Sequence, residues 1–200
     1  VAIKDIPSFI RSNYEVHEWR HASAILYKDY PNEWRDIMKV LTNFRLLKSH
    51  IAIGGGNKSQ VAGTLDKAFY ALKWRETHFD TKILVDMNTI HSPTHKVDEF
   101  KNQIAVEVEW NNKDPFYDRD LNNFRLLFDL RVIAVGVIIT RTDDLQNLFD
   151  KLGRGSSYGE STTHMSKLLP KIEGGGGGGC PVLVFGITQK LYKDDLIGTV

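Results

Sequence analysis

Asp98, Glu107 and Glu109 are the residues whose types and spacing point most directly to chemistry. Ile104, Val106, Val108 and Trp110 alternate with Ala105, Glu107 and Glu109, which predicts a strand over Gln103 to Trp110 with both glutamates on one face. Asp98 stands nine residues before Glu107, and a turn at Lys101-Asn102 would fold it back beside the glutamates. Carboxylates gathered in this way repel one another and hold their protons unless a divalent cation neutralises them. Mg2+ takes hard oxygen ligands, commonly one or two carboxylates together with water and substrate phosphate. The chemistry that suits such a group is metal-assisted hydrolysis of a phosphodiester. The alternative is a solvated acidic strand face.

A second motif competes with the first. His17-Glu18-Trp19-Arg20-His21 spells HExxH, which on a helix would hold Zn2+ between two histidines while the glutamate activates water. Tyr14 to Trp19 alternates as a strand does, however, Arg20 sets a cation between the would-be ligands, and no further ligand motif follows. With seven histidines in the chain a chance match is easy, so a zinc protease is the weakest reading. The run Gly174 to Gly179 lacks the Lys-Ser/Thr of a phosphate-binding loop and is expected to be a flexible connection before the last strand.

The elements that must position the carboxylates follow from periodicity. Trp34, Ile37, Met38 and Leu41 mark a helix opened by Pro31-Asn32, and Leu65, Ala68, Phe69 and Leu72 mark another. Between them lies the polar loop Gly54 to Gln60, with Lys58 as a candidate DNA-backbone contact. Ile83 to Asp86, Val97 to Phe100 and Gln103 to Trp110 read as successive strands, followed by a helix after Asp114-Pro115. Val132 to Thr140 reads as a strand buried on both faces, Leu145 to Leu152 as a helix capped by Thr142, and Val182 to Thr188 as the last strand. This order implies an α/β fold with a mixed sheet and helices on both sides.

Composition sets the outer bounds. A chain of 200 residues suits one domain, 1–200. Cys180 is its one cysteine, so no internal disulfide can form, and a reducing compartment is expected. No apolar run reaches membrane-spanning length, and residues 1–10 lack a signal-peptide core. The chain starts at Val1, so an initiator methionine or a short leader is expected to be missing. A net charge of +1 gives no strong electrostatic signature for nucleic acid and does not exclude it.

Asp98 and the block Val106-Glu107-Val108-Glu109-Trp110 resemble the PD-(D/E)xK nuclease core, and more narrowly the BglII/BstYI type of restriction endonuclease. The resemblance extends through most of the chain, in the family's order. It includes Tyr14-Glu15-Val16, the Trp34 helix, Leu65 to Phe69 with Lys73-Trp74-Arg75-Glu76, the Pro115-Phe116 turn and the helix and apolar strand beyond it. At position 109 many PD-(D/E)xK nucleases have lysine, the BglII/BstYI relatives have glutamine, and the BamHI type, a cousin, has glutamate. Glu109 cannot act as a cation near the developing charge; it could bind a second metal or take a proton from the attacking water.

The resemblance implies a restriction-endonuclease-like core and a Mg2+-dependent type II restriction endonuclease. Asp98 and Glu107 would hold the metal, with a backbone carbonyl near Val108 as a further ligand. A homodimer would grip double-stranded DNA at a palindromic site and cut one strand with each active site. Asn111, Asn112 and Lys113, in the loop after the catalytic strand, would reach base edges, for which their side chains are suited. Arg154, Ser156 and Ser157, around Gly155 to Gly159, would form a second recognition loop. For both loops the alternative is an ordinary polar connection. The resemblance also implies a prokaryotic cytoplasmic location and a cognate DNA methyltransferase as functional partner. The rival readings are a repair or structure-specific nuclease of the same fold, and a non-catalytic DNA-binding protein.

Overall fold

The computed structural model describes residues 5–52 and 59–196. The chain opens with α1 (Ser8–Asn13), β1 (Tyr14–Trp19), α2 (Ala22–Asp29), α3 (Pro31–Asn43), the short β2 (Leu46–Leu47), α4 (Lys48–Ala52) and α5 (Gln60–Ala71). Five strands follow: β3 (Arg75–Thr77), β4 (Asp80–Val85), β5 (Asn88–Pro93), β6 (Val97–Lys101) and β7 (Ile104–Val108). The rest is α6 (Pro115–Asp129), β8 (Val135–Arg141), α7 (Leu145–Lys151), α8 (Met165–Glu173), β9 (Val182–Ile187) and the short β10 (Tyr192–Lys193).

A six-stranded mixed sheet in the order β1-β9-β8-β7-β6-β3 forms the centre. Strands β7, β8 and β9 run parallel, while β1, β6 and β3 join antiparallel to their neighbours. The apolar run in β8 is buried throughout because strands flank it and helices cover both faces. On one face Ile104, Val106 and Val108 pack with Trp34, Leu41 and Phe69 of α3 and α5. On the other, Ala105, Ile138 and Val184 pack with Leu121 and Phe124 of α6 and Leu168 of α8. The sequence-based reading of a mixed sheet between helices therefore holds, and the fold is restriction-endonuclease-like.

Several local expectations are corrected. Ile83 to Val85 do not belong to the central meander: β4 pairs with β5 in a separate hairpin, and β3 is the outer strand of the sheet. The β6–β7 turn sits one residue later than expected, at Asn102-Gln103, whose φ values of 45° and 67° match the right-handed twist of a tight hairpin. Thr142 does not cap α7. Asp144 holds the cap position, while the Thr142 hydroxyl donates to Ile187 O at 2.9 Å. Of the polar loop between α3 and α5, residues 54–58 lie outside the described residues, and Ser59 caps α5 by accepting from the Ala62 N–H at 3.1 Å.

His17 and Glu18 stand on β1, and Arg20 and His21 turn the chain at φ values of 55° and 58°. The HExxH residues therefore share no helix. Glu18 accepts from the Ser23 N–H at 3.1 Å, and the His17 ring meets Glu15. Gly174 to Gly179 runs in hydrogen-bonded turns after α8, and Gly175 and Gly178 have φ of 88° and 56°, which disfavour other residues. Among the described residues, no helix is long and apolar enough to cross a membrane.

Candidate active site

The β6–β7 ladder stops at Glu99–Val106, and side-chain carboxylates take over where the next backbone pairs would form. The Asp98 N–H donates to Glu107 Oε2 at 3.3 Å, and the Val108 N–H donates to Asp98 Oδ2 at 3.1 Å. Asp98 and Glu107 thereby replace the missing strand partner and are held facing one another. Val108 serves this site through its backbone, while its side chain packs in the opposite core. Glu109 lies just beyond β7, on the same side as Glu107, with its N–H on Ile139 O at 2.9 Å. The three acidic residues singled out in the sequence thus come together.

Helix α6 adds two residues that the sequence reading missed. Asp120 is buried beside the glutamates, and Arg119 donates to Asp120 Oδ1 at 2.9 Å and to Glu109 Oε1 at 3.2 Å. A signal for Asp120 exists in the sequence. It stands three residues after Tyr117, four before Phe124 and seven before Leu127, on the buried stripe of its helix. An acidic side chain on such a stripe demands a partner.

Burial and mutual repulsion dominate the electrostatics. Desolvation first, then the charges of Asp120 and Asp98, push Glu107 well above the usual carboxylate range. Glu109 is pushed up to about 9, by burial and then by Asp120, with Asn112 and Arg119 opposing the shift. Asp120 is also raised by burial, although its contacts with Glu109 and Arg119 oppose this.

The residues fit a hard divalent cation. The donors are all carboxylate oxygens, Glu107 Oε1 and Asp120 Oδ2 are buried with no hydrogen-bond partner, and a cation would relieve the repulsion that raises these groups. Among the described residues, no group of three or more His, Cys, Asp or Glu side chains is already drawn into a common ligand geometry. A depression of about 290 Å3 lined by His95, Arg119 and Asn123 opens beside the cluster.

The loop after β7 meets residues 161–163, just beyond the second candidate segment. Lys113 bridges to Thr162, the Thr163 N–H donates to Asn112 O at 2.8 Å, and the Asp114 N–H donates to Ser161 O at 3.2 Å. Asn111 adopts φ 61°, and Asn112 Nδ2 reaches back to Glu109 Oε2 at 2.7 Å. Ser156 and Ser157 are exposed on a 3-10 turn over Gly155–Tyr158, with Arg154 immediately before it. None of these three has a hydrogen bond to the carboxylates. Tyr158, between them and Gly159, stacks on Phe149 at 4.0 Å between centroids. Buried Arg141, at the end of β8, fixes this segment by donating to Tyr158 O and Thr162 Oγ1, each at 2.9 Å. Lys58 lies outside the described residues. An open cavity of about 500 Å3, lined by Arg141, Asp143, Gln146 and His164, lies against this second segment and away from the carboxylates.

A family model described as “Restriction endonuclease BglII/BglIII” matches residues 14–187, from the first residue of β1 to the last of β9. No curated protein matches the chain.

Proposed function

The chain belongs to the BglII/BglIII restriction endonuclease family and is a type II site-specific deoxyribonuclease, and from that premise we propose a Mg2+-dependent homodimer that cuts double-stranded DNA at a short palindromic site. Enzymes of this family act on double-stranded DNA and use a divalent metal. The observation that carries the assignment to these residues is the facing of Asp98 and Glu107 across the end of the β6–β7 ladder, with Glu109 beside them.

In this reading Asp98 and Glu107 hold the metal, with the Val108 carbonyl as a further ligand. When bound, Mg2+ supplies a Lewis acid for the phosphodiester and a water of lowered pKa. Glu109, once ionised beside a bound cation, would orient the attacking water and accept its proton, or would hold a second ion. In hydrolysis the water oxygen bonds to phosphorus as one P–O ester bond breaks, and the departing sugar oxygen takes up a proton from solvent. Arg119 provides, from α6, the cation that position 109 lacks, and stabilises charge on the phosphoryl oxygens.

Asn111, Asn112 and Lys113 read bases, and Arg154, Ser156, Ser157 and Lys58 contribute further DNA contacts. One site per chain cuts one strand, so a two-fold dimer suits a palindrome. The exposed apolar tip of the β4–β5 hairpin supports an interface between copies. A cognate methyltransferase would protect the host's own sites in a prokaryotic cytoplasm.

Digestion of a long unmethylated phage DNA, with Mg2+ and with EDTA, tests the reading. Discrete Mg2+-dependent fragments are expected, and sequencing their ends gives site and overhang. A smear would point to a non-specific or structure-specific nuclease. Asp98→Asn should lower the cleavage rate on the order of 10³-fold with the fold retained. Full activity in that variant would overturn the site.

A further inference from the structure

We propose that Asn112 is a positioning residue that holds Glu109 away from the metal site until the recognition loop engages its bases, linking recognition to hydrolysis through one side chain. The inference rests on the reading of Glu109 as the group that handles the attacking water or a second ion. Both Glu109 oxygens are occupied: Oε2 accepts from Asn112 Nδ2 at 2.7 Å, and Oε1 from Arg119 at 3.2 Å. The Asn112 contact is the shorter of the two, and its donor belongs to the loop proposed to read bases. While both bonds stand, the Glu109 carboxylate is held in its present orientation, toward Asn112 and Arg119.

The backbone of Asn112 is fixed, so its side chain is the movable part. Its N–H donates to Thr163 Oγ1 at 3.2 Å and its carbonyl accepts from the Thr163 N–H at 2.8 Å. Lys113 pairs with Thr162, which Arg141 also holds. The first recognition loop is therefore tied to Thr162 and Thr163, Arg141 joins Thr162 to Tyr158 of the second, and the Asn112 amide links this unit to the carboxylates. A carboxamide placed on a base edge uses donor and acceptor together, as on the N6 and N7 edge of adenine. An amide rotated onto such an edge leaves Glu109 Oε2 without its donor and open to water or metal. At a site whose base cannot pair, the amide stays on Glu109. Discrimination then arises in the rate of cleavage as well as in binding.

The test compares wild type, Asn112→Ala, Asn112→Ser and Glu109→Gln. Neither replacement at position 112 can reach Glu109 as Asn112 does, and having two guards against one failing to fold. The first measurement is Mg2+ binding to the DNA-free protein by titration calorimetry. The second is single-turnover cleavage, at saturating enzyme, of a cognate duplex and of duplexes with one changed base pair. Loss of Asn112 should tighten Mg2+ binding without DNA by about tenfold, the upper end for one ordinary hydrogen bond. The ratio of cognate to near-cognate cleavage rates should fall by about the same factor. Unchanged Mg2+ affinity overturns the proposal, as does an equal loss of rate on all duplexes. Glu109→Gln separates the two ideas. Wild-type cleavage in that variant would remove the role assigned to Glu109 itself. An inactive Glu109→Gln beside unshifted Asn112 variants would remove the latch alone.

Discussion

Buried carboxylates without a cation keep their protons, and Glu109 does so up to about 9. Its folded-state pKa is raised, so between its ordinary value of 4.5 and about 9 the native protein binds more protons than the unfolded chain. That contribution to stability is complete below the lower value and is lost as pH rises through the upper one. In EDTA the protein should therefore melt at a lower temperature at pH 8.5 than at pH 6, and Glu109→Gln should flatten the difference. A melting temperature that rises over this window equally in both proteins would refute the assignment. Divalent metal should offset the loss, most strongly at the alkaline end, because its ligands must be ionised. Arg119 is read by kinetics. Arg119→Ala should lower kcat about 100-fold with DNA affinity little changed, and Arg119→Lys should recover part of the loss. A drop in melting temperature with kcat intact would show that Arg119 only neutralises its neighbours.

At the scale of elements, α6 carries Arg119 and Asp120 to the site, and its seat on the sheet sets their position. Phe124 of α6 lies against Gly136 of β8 so closely that a Cβ there would stand 2.3 Å from the ring. Gly136→Ala should destabilise the protein by roughly 2 kcal/mol through overpacking, and should lower activity by shifting α6. Chemical denaturation checks the first effect, and an unchanged midpoint would mean that the helix accommodates the methyl group. The strands β6 and β7 were legible in the sequence because their alternation is local: Val106 and Val108 go to one core, and Ala105 and Glu107 to the other face. The short β3 was not legible, since three residues give no period and only pairing with β6 makes them a strand.

For the whole molecule, the β4–β5 hairpin is the clearest surface feature. Leu84 and Met87 are 70% and 94% exposed at its tip, with Val85 and Ile90 beside them. Apolar side chains concentrated on one exposed hairpin mark a surface for association. Met87→Lys with Ile90→Lys should shift the protein toward monomer in sedimentation velocity and cut double-strand cleavage at least as much as nicking. A variant still wholly dimeric would place the interface elsewhere.

The sequence by itself determined the strand that carries Glu107, the facing of Asp98 and Glu107 and the mixed sheet between helices. Each depends on short-range periodicity or on a nine-residue hairpin spacing, which the backbone converts directly into geometry. Tertiary structure alone decided that α6 completes the cluster with Asp120 and Arg119. It also decided that Asn112 meets Thr163, 51 residues away, and that Glu109 is held by Asn112 rather than free. Contacts at such separations depend on how helices seat on the sheet, and packing of that kind leaves no repeat in the chain for a reader to find.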